Sequence, residues 1–459
     1  MNNSNGCTNL HFSQFFYVSP SAITSSDPGS QKQSKEEEGP DGGWGWVMVA
    51  AGFVATALVY GVMRGMGVFF VEFVRYFEES AQTISWIPSA ALAVHHISSL
   101  LGTALCKVTE PRYVVMAGGF LSGLGMILGS LATRVVHLFL SISFLTGVGW
   151  GLVFAPVVSI VMASFTRKRN MALAVVLSSI SLSAFAFNPL FQLFVDSYTW
   201  RGALLIVGGM SFNIVATGVI IRPQLPAKAP AKVTSQRLSA SAVLRQISSY
   251  LELPLLLKRA FVTYSVACSF FIVGYYVPFF HLVAHSQQVG FSEYQSAFVV
   301  STACAGELAG RFLSGYISDK NYFRLVHLVN FFAVTLGVSI LLLPLRCLAG
   351  SYPALVTMSL LYGLNAGAVS TLVYSIIPLL TGPERMMGGL GLLQLITSFG
   401  GVLGAPLSGL LRDVTGDYLM SFVVAGVSVL LFVVINATIP QFFSCTDPPV
   451  PQKLLNTDH

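Results

Sequence analysis

Charge is what this chain lacks most. Asp, Glu, Lys and Arg together make up 10% of its 459 residues, where soluble domains carry about 25%. Hydrophobic residues reach 54% and the mean hydropathy is +0.71, spread over the whole length. The polar stretches amount to two tails and one central loop, so no water-soluble domain of useful size is left over and enzymatic chemistry in an appended domain is excluded. Cysteine is scarce too: six residues (Cys7, Cys106, Cys268, Cys304, Cys347, Cys445) show no paired spacing, which indicates neither a disulfide framework nor a metal site. No cofactor is implied. The first residues have no charged start followed by a 7- to 15-residue apolar core, so no secretory signal peptide is expected.

What the chain does have is long apolar runs. Windows of about twenty residues, the length that crosses a bilayer, predict twelve helices. They fall near 44–70, 84–105, 113–132, 137–162, 171–195, 202–221, 260–284, 294–317, 325–345, 353–379, 387–410 and 418–439. The predicted class is thus an all-α integral membrane protein of twelve spans, six on each side of a polar gap. The expected organisation is a disordered tail over 1–40, a first bundle over 41–222, a central loop over 223–259, a second bundle over 260–441 and a tail over 442–459. If the N-terminus lies in the cytosol, the inside loops hold fifteen Lys or Arg, among them Lys107, Arg167, Lys168, Arg169 and Arg385, and the outside loops five. The positive-inside rule then predicts both termini in the cytosol. The net charge of +6 sits mostly in those inside loops, where orientation and anionic lipid account for it without a nucleic-acid partner.

A weak internal repeat supports duplicated halves. Pro189-Leu190, five residues, then Asp196 near the outer end of the fifth span recurs as Pro406-Leu407, five residues, then Asp413 in the eleventh. Symmetric hydropathy and this repeat together point to the major facilitator fold, in which a substrate site lies between two six-helix bundles near the midplane. The run Gly310 to Gly315 followed by Asp319-Lys320 resembles the turn motif of that superfamily after the eighth span. Its counterpart after the second span, Gly102 to Arg112, has Cys106 where the acid belongs.

Ionisable groups at mid-membrane depth are expensive unless they line a watery path. Glu307 is the only Asp or Glu near the middle of a predicted span, and Arg311 follows it by one helical turn inside the apolar stretch Ala297 to Ile317. A guanidinium stays charged and offers a carboxylate two parallel hydrogen bonds, so Arg311 is the candidate carboxylate clamp. Glu307 would pair with it when the site is empty. Displaced by an entering carboxylate, a desolvated Glu binds a proton readily, which makes Glu307 the candidate for proton coupling. The structural alternative is an i, i+4 pair that braces the bundle. His281 and His285, one turn apart near the outer end of the seventh span, could sense pH or pack helices.

The string Asp41-Gly42-Gly43-Trp44-Gly45-Trp46, opening the first span, resembles the signature of the monocarboxylate transporter family. Physically, Trp44 and Trp46 suit the headgroup layer and the glycines permit close helix approach, which is a structural role. Ser164 to Ala172 is similar to a second family signature but has Ser164 in place of an aromatic. The stretches Tyr275 to His285 and Gly391 to Tyr418 are most similar to the subgroup that includes members 11 and 13.

The resemblance implies a carrier in which a Lys of the first span and an acid–Arg pair of the eighth handle substrate and proton. Those positions fall on Arg64, Glu307 and Arg311. It also implies that Tyr374 limits substrate size, and Asn365 in the same span is a candidate cavity hydrogen bonder. The expected function is proton-coupled symport of small monocarboxylates such as pyruvate or lactate by alternating access. The alternatives are proton-independent movement of a larger or zwitterionic acid or an aromatic amino acid, and a non-transporting sensor or regulator. Family members often travel with a single-span immunoglobulin-type chaperone glycoprotein. The plasma membrane is the expected location, with Golgi or endoplasmic reticulum as the alternative.

Overall fold

The computed structural model describes residues 43–221, 248–320, 322–345, 350–415 and 418–439. Asp41 and Gly42, the two tails and most of the central loop lie outside the described residues, as do the side chains of Pro406 and Asp413. What is described is helical, with no strand among the described residues.

The described residues form twelve helical segments, and nine helices among them, with Arg169–Ile220 counted as one, are long and apolar enough to cross a membrane. The twelve segments are α1 (Trp44–Phe77), α2 (Ala81–Leu105), α3 (Pro111–Ser130), α4 (Val135–Ala163), α5 (Arg169–Ser211) and α6 (Asn213–Ile220), then α7 (Arg259–Val289), α8 (Glu293–Asp319), α9 (Leu325–Leu342), α10 (Tyr352–Thr381), α11 (Met386–Thr415) and α12 (Leu419–Ala437). The fifth and sixth spans run together, because α5 leaves helical geometry only at Thr199 (φ 62°, ψ 169°). Residues 169–198 therefore form the fifth crossing and residues 200–220 the sixth. Long apolar runs make these helices for a plain reason: in hydrocarbon each backbone N–H and C=O must be satisfied within its own segment. Where polar ends emerge, caps take over. The Ser80 hydroxyl accepts from Thr83 N at 3.1 Å before α2, and Ser292 and Gln295 cap α8 reciprocally.

The packing repeats itself between the halves. In the first bundle α1 packs on α5, α2 on α4 and α3 on α6; in the second α7 packs on α11, α8 on α10 and α9 on α12. The bundles meet through α5 against α8 and α2 against α11, which are equivalent pairs if the sixth span is followed by a second copy of the first six. This is the duplicated architecture expected from the hydropathy.

Glycine sets how closely α8 and α10 approach. A Cβ at Gly306 or Gly310 would overlap the carbonyls of Leu360 and Leu364, and one at Gly363 or Gly367 those of Ala303 and Glu307. Two glycine pairs at four-residue spacing thus press two backbones together, as membrane helices do when no hydrophobic force between them is available. The consequence is that α8 is held rigidly at the depth where Glu307 sits.

Twelve crossings bring the start of α1 and the end of α12 to one face. On that face the bundles are tied by polar contacts. Asp319, at the end of α8, accepts the N–H of Asn170 and Met171 at 2.9 and 2.8 Å and so caps the N-terminus of α5 across the interface. Lys107 Nζ, beyond α2, donates to Glu252 Oε1 at 2.8 Å and to the Ser249 carbonyl at 3.2 Å, and Arg385 Nε, before α11, stands 3.9 Å from Glu252 Oε2. Position 106 being Cys, Glu252 of the central segment supplies the acid on that side. Trp44 and Trp46 open α1 exposed to their surroundings, and Trp46 meets Phe165 edge-on at 5.3 Å. Of the basic cluster, Arg169 Nε donates to the carbonyls of Met162 and Phe165 at 2.9 and 3.1 Å, stitching α4 to α5.

Candidate functional site

Four helices, two from each bundle, converge on the Glu307 carboxylate. Glu307 is fully buried and Arg311 is 1% exposed. Arg311 Nη2 donates to Glu307 Oε1 at 2.6 Å, the i, i+4 geometry of α8. Tyr275 of α7 donates its hydroxyl to the same oxygen. Ser181 of α5 donates to Oε2 at 2.6 Å. Arg64 of α1 brings Nη1 to 3.8 Å from Oε2 and donates from Nη2 to the Tyr275 hydroxyl at 3.3 Å. The carboxylate is thus held by two cations and two hydroxyls, a set able to offset the cost of taking it out of water.

The cations are less fully matched than the anion. Arg311 gives Nη1 to the Leu177 carbonyl of α5, while its Nε, buried, has no hydrogen-bond partner. Arg64 keeps its side chain 21% exposed and lays its guanidinium over the Phe279 ring, 5.3 Å from the centroid. Two guanidinium groups facing one carboxylate leave one positive charge over. A second anion is what this arrangement can accept.

The space available lies beside them. A cavity of about 50 Å³, room for water, is lined by Arg64 and Arg311 on one side and by Tyr60, Tyr276, Tyr374 and Gln394 on another. Tyr374 donates to Gln394 Oε1 at 3.3 Å and meets Phe154 edge-on at 6.0 Å. On the side away from the polar bundle contacts a vestibule of about 420 Å³ opens, lined by Arg64, Gly67, Val68, Glu72, Asn188 and Gln192. Arg64 lines both spaces and stands between them.

Arg64, Glu307, Arg311 and Tyr374, singled out from the sequence, thus share one site. Asn365, expected as a cavity hydrogen bonder, is placed against α9 instead. Its Oδ1 accepts from Thr335 of α9 at 2.7 Å and its Nδ2 donates to the Leu361 carbonyl at 2.8 Å, because its face of α10 packs on α9. His281 and His285 also lie apart, against Tyr418 at 5.1 Å and Phe422 of α12 at 5.2 Å between ring centroids. Sequence reasoning missed Tyr275, Ser181 and the Leu177 carbonyl. A tyrosine pair, Tyr275-Tyr276, inside an apolar span was a usable signal; one serine among four in the run 178–183 was not.

Comparison with known proteins agrees with this architecture. The family model described as Major Facilitator Superfamily matches residues 52–346. The chain is 43% identical over 408 residues to monocarboxylate transporter 13 of Rattus norvegicus, covering 89% of this chain and 92% of that protein. It is 35% identical over 396 residues to monocarboxylate transporter 11 of Homo sapiens, covering 85% and 82%. Among solved structures, the major facilitator transporter FucP in the outward conformation superposes with a TM-score of 0.66 at 15% identity, over 88% of this chain and 100% of that one. A variant of the E. coli fucose:proton symporter FucP gives 0.65 at the same identity and coverage.

Proposed function

This chain belongs to the monocarboxylate transporter family of the major facilitator superfamily and is a membrane transporter, and from that premise we propose that it carries small monocarboxylates of the pyruvate or lactate type together with a proton. The observation that carries the reading is the surplus cation: Arg64 and Arg311 share one buried carboxylate, Glu307.

In the empty carrier Glu307 is ionised and neutralises one of the two guanidinium groups. A substrate carboxylate arriving through the vestibule meets Arg64 first and then competes with Glu307 for Arg311, whose fork accepts either. Glu307, buried and losing its cation, takes up a proton. One proton per anion leaves the total charge of the site unchanged. Two arginines and Glu307 sum to +1, and two arginines, a bound monocarboxylate and a neutral Glu307 also sum to +1. Loading the anion alone would bring the buried charge to zero, and a proton on Glu307 returns it to the +1 of the empty carrier, so that the charge of the moving site is the same loaded and empty. Tyr275, bonded to both Glu307 and Arg64, would couple the two events.

The loaded site can then be exposed on the opposite face by rocking the bundles about the α5–α8 and α2–α11 contacts. The polar ties at the face where α1 begins would break while the vestibule closes. With both termini in the cytosol and the carrier in the plasma membrane, the present arrangement faces outward. A second reading is favoured by one residue: Arg64 cannot give up a proton, so coupling rests on Glu307 alone, and without it transport would be facilitated and proton-independent.

The test is uptake of labelled pyruvate into proteoliposomes across an imposed pH gradient, with equal amounts of folded protein. Gradient-driven uptake is expected for the native chain, gradient-independent exchange for Glu307→Gln and none for Arg311→Gln. Absence of pyruvate uptake by folded native protein would refute the substrate class. Equal uptake with and without the gradient would select the facilitated reading.

A further inference from the structure

The vestibule carries a negative charge that attraction of a simple anion does not explain. Beyond Arg64 its wall holds Glu72, two helical turns further along α1, and the carboxamides of Asn188 and Gln192, one turn apart on α5. None of the ion pairs among the described residues involves Glu72, so among those residues its charge has no cationic partner. Gln192 donates from Nε2 to Asp196 Oδ1 at 2.8 Å, which sets a second carboxylate behind the same wall. An approaching monocarboxylate is therefore drawn by Arg64 and repelled by Glu72 and Asp196. Glu72 becomes favourable only for a solute that carries a positive charge as well.

We propose, building on the carboxylate reading above, that the vestibule selects zwitterions whose cation is well separated from their carboxylate, Arg64 taking the carboxylate and Glu72 the ammonium. Spacing decides the class. Eight residues of helix separate the two Cα atoms by about 12 Å, too far for the adjacent charges of an α-amino acid to engage both groups and suited to an ω-amino acid. The volume of about 420 Å³ admits such a chain, and the two carboxamides can bond its polar ends. On reaching the central site the solute presents the same carboxylate to Arg311.

The experiment compares pentanoate with 5-aminopentanoate, which differ only in the terminal ammonium, by direct uptake of each labelled solute into proteoliposomes containing the full chain. The native protein should take up 5-aminopentanoate with a KM about fivefold lower than that for pentanoate, the size expected of one solvent-accessible ion pair. Glu72→Gln should erase that difference, and Glu72→Asp should keep most of it. Glu79→Gln, an exposed acid just beyond α1, should leave it as in the native chain. Equal KM values in the native protein, or a preference that survives Glu72→Gln, would overturn the inference while leaving carboxylate transport standing. Uptake of neither solute by folded protein would overturn both readings together.

Discussion

Replacing Glu307 by Gln should destabilise the carrier more than replacing Arg311 by Gln, although the two residues form one ion pair. The reason is the number of partners left behind. Without its carboxylate, Arg311 keeps the Leu177 carbonyl but has no anionic partner among the described residues, and Arg64 loses its own at 3.8 Å. Two guanidinium groups then face each other with no counter-ion. Stranding a buried charge in this way costs on the order of 3–5 kcal/mol. Without Arg311, in contrast, Glu307 still accepts from Ser181 at 2.6 Å and from Tyr275, and keeps Arg64 at 3.8 Å. That loss amounts to one charge-assisted hydrogen bond, about 1.5–3 kcal/mol. Thermal unfolding in detergent should therefore rank the native chain highest, then Arg311→Gln, then Glu307→Gln, with the double variant above Glu307→Gln because fewer charges are stranded. Added monocarboxylate should rescue Glu307→Gln most, since the ligand occupies the place of the missing side chain. At about 100 times its Kd a ligand contributes about 2.7 kcal/mol, enough to recover most of the loss. The reasoning is refuted if Arg311→Gln melts below Glu307→Gln, or if pentanoate raises the melting temperature of Glu307→Gln no more than that of the native chain.

Three further outcomes follow from the geometry. Gly367→Ala places a methyl group against the Glu307 carbonyl, so α8 and α10 must part; loss of folded protein is expected on size-exclusion chromatography, at a cost of about 1–3 kcal/mol or more. Tyr275→Phe removes one donor to Glu307 and the acceptor of Arg64, and should lower proton-driven uptake about tenfold while the protein remains folded, as judged by its melting temperature. Asp319→Asn leaves one of the two α5 N–H groups without its carboxylate oxygen and weakens the charge at a helix N-terminus by about 1–2 kcal/mol; hydrogen exchange at residues 169–172 should accelerate, since the closed face is held in part by this cap.

How far the site was legible can be argued from single residues. Glu307 and Arg311 stand out because hydrocarbon makes any charge conspicuous and because i, i+4 spacing on a helix needs no tertiary knowledge. Arg64 was ambiguous on spacing alone, since a residue about 27 Å of helix past Trp46 could equally have reached the far headgroups. Its turn toward Glu307 depends on α1 facing α7 and α8, a matter of packing. Asn365 is the converse case: its span and depth suited a cavity, and the face of α10 it occupies bonds to Thr335 of α9. The glycine pairs were visible as composition, yet which helix they admit was not.

The sequence by itself determined that this is a twelve-span, duplicated membrane protein with one acid–arginine pair in mid-membrane. Apolar length, loop charge and the cost of a bare backbone in lipid are local constraints, and they act on each segment separately. Only the tertiary structure decided that Arg64, Ser181, Tyr275 and Arg311 surround the same carboxylate, that Arg64 divides a central cavity from a vestibule, and that Glu72 shares that vestibule. Those relations arise where α1 and α5 of one bundle meet α7 and α8 of the other. They span up to 243 residues of chain between Arg64 and Glu307, a separation over which hydropathy carries no information about which faces will touch.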